Sequence, residues 1–299
     1  YVMRGSIYTS EPSRPFRSTT IDQIQCGKID CHLTERVVGA NLGLYSVTFN
    51  NDLQLDRHTL EQYREFRMEA ERKGFRHFLE VFDPNALVNP IPPEKLGGFI
   101  NDMIVRSLAG VPESGRPLFL KMVYHGPKWT EELAGYDPQL VIGILGGSAG
   151  TTYDAFKMIA EAQKYGARVA LYGRKINNAE NQLAFVEMLR RIVDGQISPE
   201  EAVRAYHGVL QGLGIKPYRS LEDDMKLTSQ AMSYAGGGQV QVPASPMTSA
   251  RKLAAAPATT SAKPVARPAQ SYAPAPTPDF AKMTAKERAA YHRARIAGI

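Results

Sequence analysis

The chain has 299 residues, and its 43% hydrophobic content is enough for one large globular domain with a substantial core. Its net charge of +6 is concentrated in residues 250–299, which carry +7, so residues 1–249 carry −1 and lack the basic surface typical of nucleic-acid binding. No apolar run approaches the roughly 18 residues of a membrane span. We therefore expect neither nucleic acid nor a membrane as a partner.

The two cysteines, Cys26 and Cys31, are spaced C-x4-C with no second pair that would complete a zinc site. We interpret them as ordinary thiols and expect no bound metal. The first residues, "YVMRGSIYTSEP", do not have the pattern of a signal peptide, and they begin without methionine, so the N-terminus is expected to be partial. Low cysteine use without a secretory signal predicts a cytoplasmic location.

From Leu44 to about Gly208, short β-rich runs alternate with helical patterns. The predicted strands are "LYSVTF" (44–49), "HFLEVF" (77–82), "LFLKMVY" (118–124), "LVIGIL" (140–145) and "ARVALYG" (167–173). The predicted helix faces are Leu60/Tyr63/Phe66/Ala70, Phe156/Ile159/Ala160 and Leu183/Val186/Leu189/Val193. Repeated strand-then-helix units indicate a parallel sheet with covered faces.

Two α/β folds produce this alternation, a doubly wound sheet and a (β/α)8 TIM barrel. The run "GILGGSAGTTYD" has the wrong glycine spacing for a dinucleotide-binding turn, which favours the barrel. The early run "YVMRGSIY" (1–8) is a sixth candidate strand. We therefore predict a barrel that lacks its first two strands in this chain, because they precede Tyr1 or because another chain supplies them.

Three segments are predicted from composition. Residues 1–235 form the barrel domain, and residues 236–278 form an Ala/Pro/Ser-rich linker that is expected to be disordered because it has few large apolar residues. Residues 279–299 form a short C-terminal helix, opened by a capping box from Thr284 to Glu287.

One apolar run, "LFLKMVY", contains a lysine. Strand alternation places Lys121 on the face opposite Leu120 and Met122, so its side chain points either into the barrel or towards the surrounding helices. Inside a barrel, a desolvated amine can attack a carbonyl and form a Schiff base. Glu80 holds the same position in "HFLEVF", where it can serve as an ion-pair partner of Lys121 or as an acid/base group.

Two glycine-containing runs, "ILGGSAGTT" (144–152) and "LYGRKINN" (171–178), each follow a strand and precede a helix. Backbone N–H groups in such turns can bind a phosphate, and Arg174 can add a charged contact. His125 follows the strand of Lys121, where it can bind substrate or transfer protons. A solvated loop histidine is the alternative interpretation.

These runs carry a family resemblance. "FLKMVYHGP" and the segment from Val141 to Val193 resemble the C-terminal half of the archaeal-type class I fructose-bisphosphate aldolase family. That family includes the autoinducer-2 phosphate thiolase, and it is similar to tagatose-bisphosphate and deoxyribose-phosphate aldolases. All are (β/α)8 barrels. The resemblance implies a metal-independent lyase without a cofactor.

The resemblance also assigns roles to individual residues. It implies that Lys121 is the Schiff-base lysine and, through the similarity of "HFLEVF" to tagatose-bisphosphate aldolases, that Glu80 is the acid/base residue. Two phosphate turns are implied, the first formed by Gly146, Gly147 and Ser148 and the second by Gly173 and Arg174. The first two strands of the family, and any catalytic aspartate on the first strand, have no counterpart here.

The sequence thus predicts a class I aldolase that acts on a phosphorylated ketose or a similar carbonyl compound. A catalytically inactive barrel that acts as a scaffold and a thiolase-type acyl transferase remain as alternatives. The hydrophobic outer helices predict a homo-oligomer. The tail resembles peptides that tether enzymes to bacterial microcompartment shells, although a solvated basic tail explains the same composition.

Overall fold

The computed structural model describes residue 7 and residues 10–86, 89–147 and 150–228. The strands are β1 (Leu42–Thr48), β2 (Arg76–Phe82), β3 (Leu120–Met122), β4 (Gly143–Leu145) and β5 (Val169–Leu171). The helices are α1 (Ile21–Cys26), α2 (Leu53–Arg72), α3 (Pro93–Leu108), α4 (Pro127–Tyr136), α5 (Thr152–Lys164), α6 (Gly173–Asn177), α7 (Gln182–Val193), α8 (Pro199–Gly212) and α9 (Leu221–Asp224). Within this part of the chain, no helix has the length and apolarity that a membrane span requires.

All five strands predicted between residues 44 and 173 are confirmed, and they form one sheet in the order β1-β2-β3-β4-β5. Every neighbouring pair is parallel. The last three strands are shorter than predicted, with three residues each. Of the candidate strand at 1–8, only residue 7 lies within the described residues.

The strand order distinguishes the two α/β folds. In a doubly wound sheet the order reverses at a switch point, whereas in a barrel each new strand is added on the same side of the last. Right-handed crossovers then place every connecting helix on one face of the sheet. The described residues therefore form an arc of a (β/α) barrel, with helices outside and a free inner face.

Side chains on the outer face pack against the helices. Tyr45 of β1 stacks on Phe66 of α2, with ring centroids 4.4 Å apart. Leu79 and Leu120 are fully buried in the same core. Because side chains alternate along a strand, the residues between them point to the inner face. Ser46, Glu80 and Lys121 occupy this inner face.

The predicted faces of α2 and α5 are confirmed, since each of their residues is buried or packs against the core. The predicted face of α7 is wrong at its first turn, because Leu183 is 84% exposed and Val186 is 43% exposed. The buried face instead contains Phe185, which lies between Phe156 of α5 and Tyr206 of α8. Helix α7 therefore packs on other helices, so its apolar side is rotated away from the sheet.

The expectation of free thiols is also wrong, because Cys26 and Cys31 form a disulfide. Helix α1 ends at Gly27, whose positive φ of 76° turns the chain back on itself. That turn brings the Cα atoms of the two cysteines to 6.3 Å. The cytoplasmic location, which was predicted from low cysteine use without a secretory signal, stays a prediction. The linker and the C-terminal helix predicted over 236–299 lie outside the described residues.

The close approach of β3 and β4 generates the first prediction. A Cβ atom added to Gly143 would lie 2.1 Å from the carbonyl oxygen of Leu120, which is backbone and cannot move aside. We expect Gly143→Ala to lower the free energy of unfolding by about 3 kcal/mol. Gly208→Ala is the control, because its Cβ would meet nothing within 4 Å on α8, and there alanine should add about 0.5–1 kcal/mol. Urea unfolding followed by circular dichroism measures both changes. Equal stability of the two variants would contradict this packing.

Candidate active site

The centre of the inner face is an ion pair between two neighbouring strands. Glu80 and Lys121 are directly opposite each other in the β2–β3 register. The Nζ atom of Lys121 lies 2.6 Å from Oε1 of Glu80, and the two side chains are 17% and 4% exposed. The Oγ of Ser46 on β1 donates a hydrogen bond to Oε2 of Glu80 at 3.2 Å. Three adjacent strands thus contribute one polar group each to the same level of the sheet.

Apolar groups lie one step below this pair. Phe78 and Phe119 precede Glu80 and Lys121 by two residues on the same face, and their rings stack with centroids 4.7 Å apart. On the other side of Lys121, β4 presents Gly143, which has no side chain. Lys121 therefore has an aromatic floor and one carboxylate partner, and the 17% of its side chain that stays exposed leaves it within reach of a carbonyl compound.

A cavity of about 340 Å³ opens beside Ser46. Thr48 and Phe82, near the carboxyl ends of β1 and β2, form part of its wall, and residues 13–19 form much of the rest. A barrel active site lies at the carboxyl ends of the strands. The lining also extends along β1 from Leu44 to Thr48 and reaches Phe66 of α2, so the cavity follows the edge of the sheet, and neither Glu80 nor Lys121 lines it.

The two glycine turns follow neighbouring strands. Leu145 and Leu171, the last residues of β4 and β5, are paired in the register. A Cβ atom at Gly146 would lie 2.2 Å from the ring of Tyr172, so only glycine fits there. Gly147 has a positive φ of 54°, a conformation that glycine adopts readily. Gly173 is the first residue of α6 and is followed by Arg174. The remaining residue of the first turn, Ser148, lies outside the described residues.

The N-terminus of α5, which follows the first turn, already has acceptors for its amides. The backbone N–H of Thr151 donates to Asp154 at 2.7 Å, and that of Thr152 donates to Asp224 at 2.8 Å. A phosphate at this turn would therefore have to be held by the glycine amides and by nearby cations, rather than by these two amides.

One such cation is Lys175, which sequence reasoning missed. Its Nζ donates to the carbonyl of Gly150 at 2.9 Å and so joins the second glycine turn to the first. Burial lowers the pKa of Lys175 from 10.5 to about 8, against an opposing effect of the nearby carboxylate of Asp224. The available signal was its position, one residue after Arg174 in the run after β5.

His125 is mostly buried and is paired rather than solvated. Its Nε2 lies 2.8 Å from Oδ1 of Asp83, the first residue after β2. Sequence reasoning missed Asp83, although its position at the end of the strand of Glu80 was a usable signal. Two residues near His125 have structural roles: Tyr124 donates from its hydroxyl to Glu161 at 2.9 Å, and Trp129 packs against Gly97 of α3.

A protein-bound metal ion needs several ligand side chains close together. Across the described ranges, no three His, Cys, Asp or Glu side chains gather in a group that could hold a metal ion.

Comparisons with known proteins give little beyond the fold. No protein-family model matches the chain, and no curated protein matches it. One solved structure to which it is similar is that of the Schiff-base-forming fructose-1,6-bisphosphate aldolase, at 18% sequence identity and a TM-score of 0.43. The overlap covers 55% of this chain and spans 63% of that one. A likeness this low assigns no activity, so the function rests on the geometry of the residues.

The lowered pKa of Lys175 predicts a pH dependence of stability. Between pH 8 and 10.5 the folded protein has released this proton while the unfolded chain still holds it, so the contribution of Lys175 to stability rises with pH. Below pH 8 the charged amine is buried at a cost. We expect Lys175→Met to raise the free energy of unfolding at pH 7 by about 1–3 kcal/mol and to remove this slope. Lys216→Met, on an exposed lysine, is the control. A slope that persists in Lys175→Met would contradict the assignment.

Proposed function

We propose that this protein is a class I aldolase, or a related carbon–carbon lyase, that acts on a phosphorylated ketose or a similar carbonyl compound. The observation that carries the proposal is the Lys121–Glu80 pair, in which an amine and a carboxylate 2.6 Å apart lie on the inner face of a sequential parallel sheet. A reactive lysine needs a base that removes its proton and a site that excludes bulk water. Glu80 and the aromatic floor supply both.

The pair accounts for imine formation, because it provides a donor or an acceptor for each proton that moves. Glu80 takes a proton from the Lys121 ammonium, and the free amine attacks the substrate carbonyl to give a carbinolamine. Glu80 then returns the proton to the carbinolamine hydroxyl, which leaves as water. The resulting protonated imine accepts the electron pair of the adjacent carbon–carbon bond when that bond breaks. Glu80 ends the step as a carboxylate, ready for imine hydrolysis.

The adjacent turns after β4 and β5 support a phosphorylated substrate. We assign the first phosphate turn to Gly146, Gly147 and Ser148, and the second to Gly173 and Arg174. Lys175 adds a second positive charge between them through its contact with Gly150. Backbone amides and cations together are the usual chemistry of phosphate binding.

One observation favours a second candidate, a barrel without catalysis. In the described part of the chain, β1 and β5 each pair with only one strand, so the sheet ends at both sides. A thiolase-type acyl transfer through the same lysine would be distinguished from the aldolase reaction by its need for coenzyme A. A homo-oligomer and a microcompartment shell contacted by residues 279–299 stay predictions.

Borohydride trapping tests the central assignment. We expect the full-length protein, incubated with dihydroxyacetone phosphate and reduced, to carry a mass adduct on Lys121. Lys121→Arg should carry none, because a guanidinium does not form the imine. Glu80→Gln should slow trapping about 100-fold, because proton transfer loses its base. Lys128→Arg, on exposed Lys128 of α4, is the matched control. If folded protein gives no Lys121 adduct with any phosphorylated ketose or aldehyde, the scaffold reading replaces this one.

The phosphate turns generate a separate prediction. We expect Arg174→Ala and Lys175→Met to raise the KM for dihydroxyacetone phosphate about 10- to 100-fold, because each removes a charge-assisted contact. The same changes should leave the KM for unphosphorylated dihydroxyacetone within about twofold. Arg191→Ala, on the exposed side of α7, serves as the control. Equal effects on both probes would assign these residues to folding rather than to phosphate.

A further inference from the structure

A second buried pair lies beyond the Lys121–Glu80 pair, on the same two strands. Asp83 follows Glu80 by three residues and His125 follows Lys121 by four, so both stand past the carboxyl ends of β2 and β3. Nε2 of His125 and Oδ1 of Asp83 are 2.8 Å apart, and the two side chains are 9% and 7% exposed. Because both side chains are so little exposed, the packing of the surrounding chain fixes their contact.

The contact determines which ring nitrogen is available. An ionised carboxylate only accepts hydrogen bonds, so beside Asp83 the neutral form of the His125 ring has its proton on Nε2 and its lone pair on Nδ1. That Nδ1 atom is buried and has no hydrogen-bond partner among the described residues. Buried polar atoms without a partner are rare and costly. The free lone pair therefore indicates a group that the described residues do not supply.

Packing holds the ring in place. A Cβ atom at Gly97 of α3 would lie 2.8 Å from Cβ of His125 and 2.4 Å from the indole of Trp129, so helix and loop are in close contact there. After His125 the chain turns at Gly126, which has a φ of 93°, and α4 starts at Pro127. The histidine has little freedom to move away from Asp83.

The distance along the strand suits a small substrate. Lys121 and His125 are four residues apart in the chain, so their Cα atoms are separated by at most about 13 Å. A phosphorylated sugar bound to Lys121 as an imine has its hydroxyl groups within this interval. Glu80 is already engaged, because one of its oxygens contacts Lys121 and the other accepts from Ser46. Removal of a substrate hydroxyl proton therefore needs a second base.

We propose that His125 is this second base and that Asp83 is its positioning residue; the inference rests on the function proposed above. Nδ1 of His125 removes the proton from the hydroxyl on the carbon β to the imine carbon. The O–H electron pair forms the new aldehyde carbonyl, and the carbon–carbon bond pair moves to the α carbon to give the enamine. Asp83 stabilises the imidazolium. The imidazolium then protonates the α carbon, which restores neutral His125 before imine hydrolysis.

Proton exchange at the α carbon measures the role of His125 as a base separately from imine formation on Lys121. In the reverse direction His125 removes the α proton of the imine that Lys121 forms with dihydroxyacetone phosphate. With that probe in D2O, we expect His125→Asn to be trapped on Lys121 by borohydride within about twofold of wild type. Deuterium incorporation at the α carbon should fall at least 100-fold, and in Asp83→Asn about 10- to 100-fold. Mass spectrometry measures trapping and NMR measures exchange.

His77→Gln is the matched control. His77 is a buried histidine on β2, 3% exposed, but its Nε2 contacts the Tyr63 hydroxyl at 2.9 Å on the outer face. Both readouts, normalised to folded protein, should remain at wild-type level. Gly97→Ala is a second probe, because it keeps the imidazole and crowds it. Exchange should fall there too while trapping persists.

Three results would overturn the inference, and they differ from one another. If His125→Asn exchanges deuterium at the wild-type rate, another group is the base, although Lys121 can still be the imine lysine. If folded His125→Asn loses trapping together with exchange, the histidine only supports Lys121. If the wild-type protein is not trapped at Lys121, the proposed function fails and this inference fails with it.

Discussion

The register between β2 and β3 is the constraint on which the site depends. It places Glu80 directly opposite Lys121, and the resulting 2.6 Å contact gives a nearly buried carboxylate its counter-charge. A shift of one residue in either strand would turn its charged side chain towards the helices and expose its leucine, Leu79 or Leu120, both of which are fully buried. Burial of the apolar outer face and pairing of the charges on the inner face therefore require the same register, and a parallel sheet with one covered face meets both conditions.

The same strands show how the two faces divide structural and chemical roles. His77 and Glu80 both lie on β2 and are equally buried, but His77 meets Tyr63 of α2 on the outer face. Nδ1 of His125, beyond the carboxyl end of β3, has no hydrogen-bond partner among the described residues. A hydrogen-bonded histidine in a helix–sheet interface completes a core, whereas one with an unpaired nitrogen in the region of a candidate site is available to a ligand.

The glycine turns combine cations and carboxylates at short range. Asp154 and Asp224 satisfy the first amides of α5, and Lys175 is held between the two turns at a lowered pKa. The carboxylates fasten residues 224–228 to this helix, because Thr228 also donates its backbone N–H to Asp154 at 2.8 Å. The end of the described chain is thus anchored beside the candidate phosphate turns.

Local patterns in the sequence determined the five strands, the α/β class and the alternation that sets Lys121 apart from Leu120 and Met122, because side-chain period and turn residues are properties of neighbouring positions. They did not decide which face Lys121 occupies. Local patterns also did not predict the pairing of His125 with Asp83, the burial of Lys175 or the rotated apolar face of α7. Each of these depends on contacts between residues far apart in the chain, which exist only once the strands are in register and the helices have packed against them.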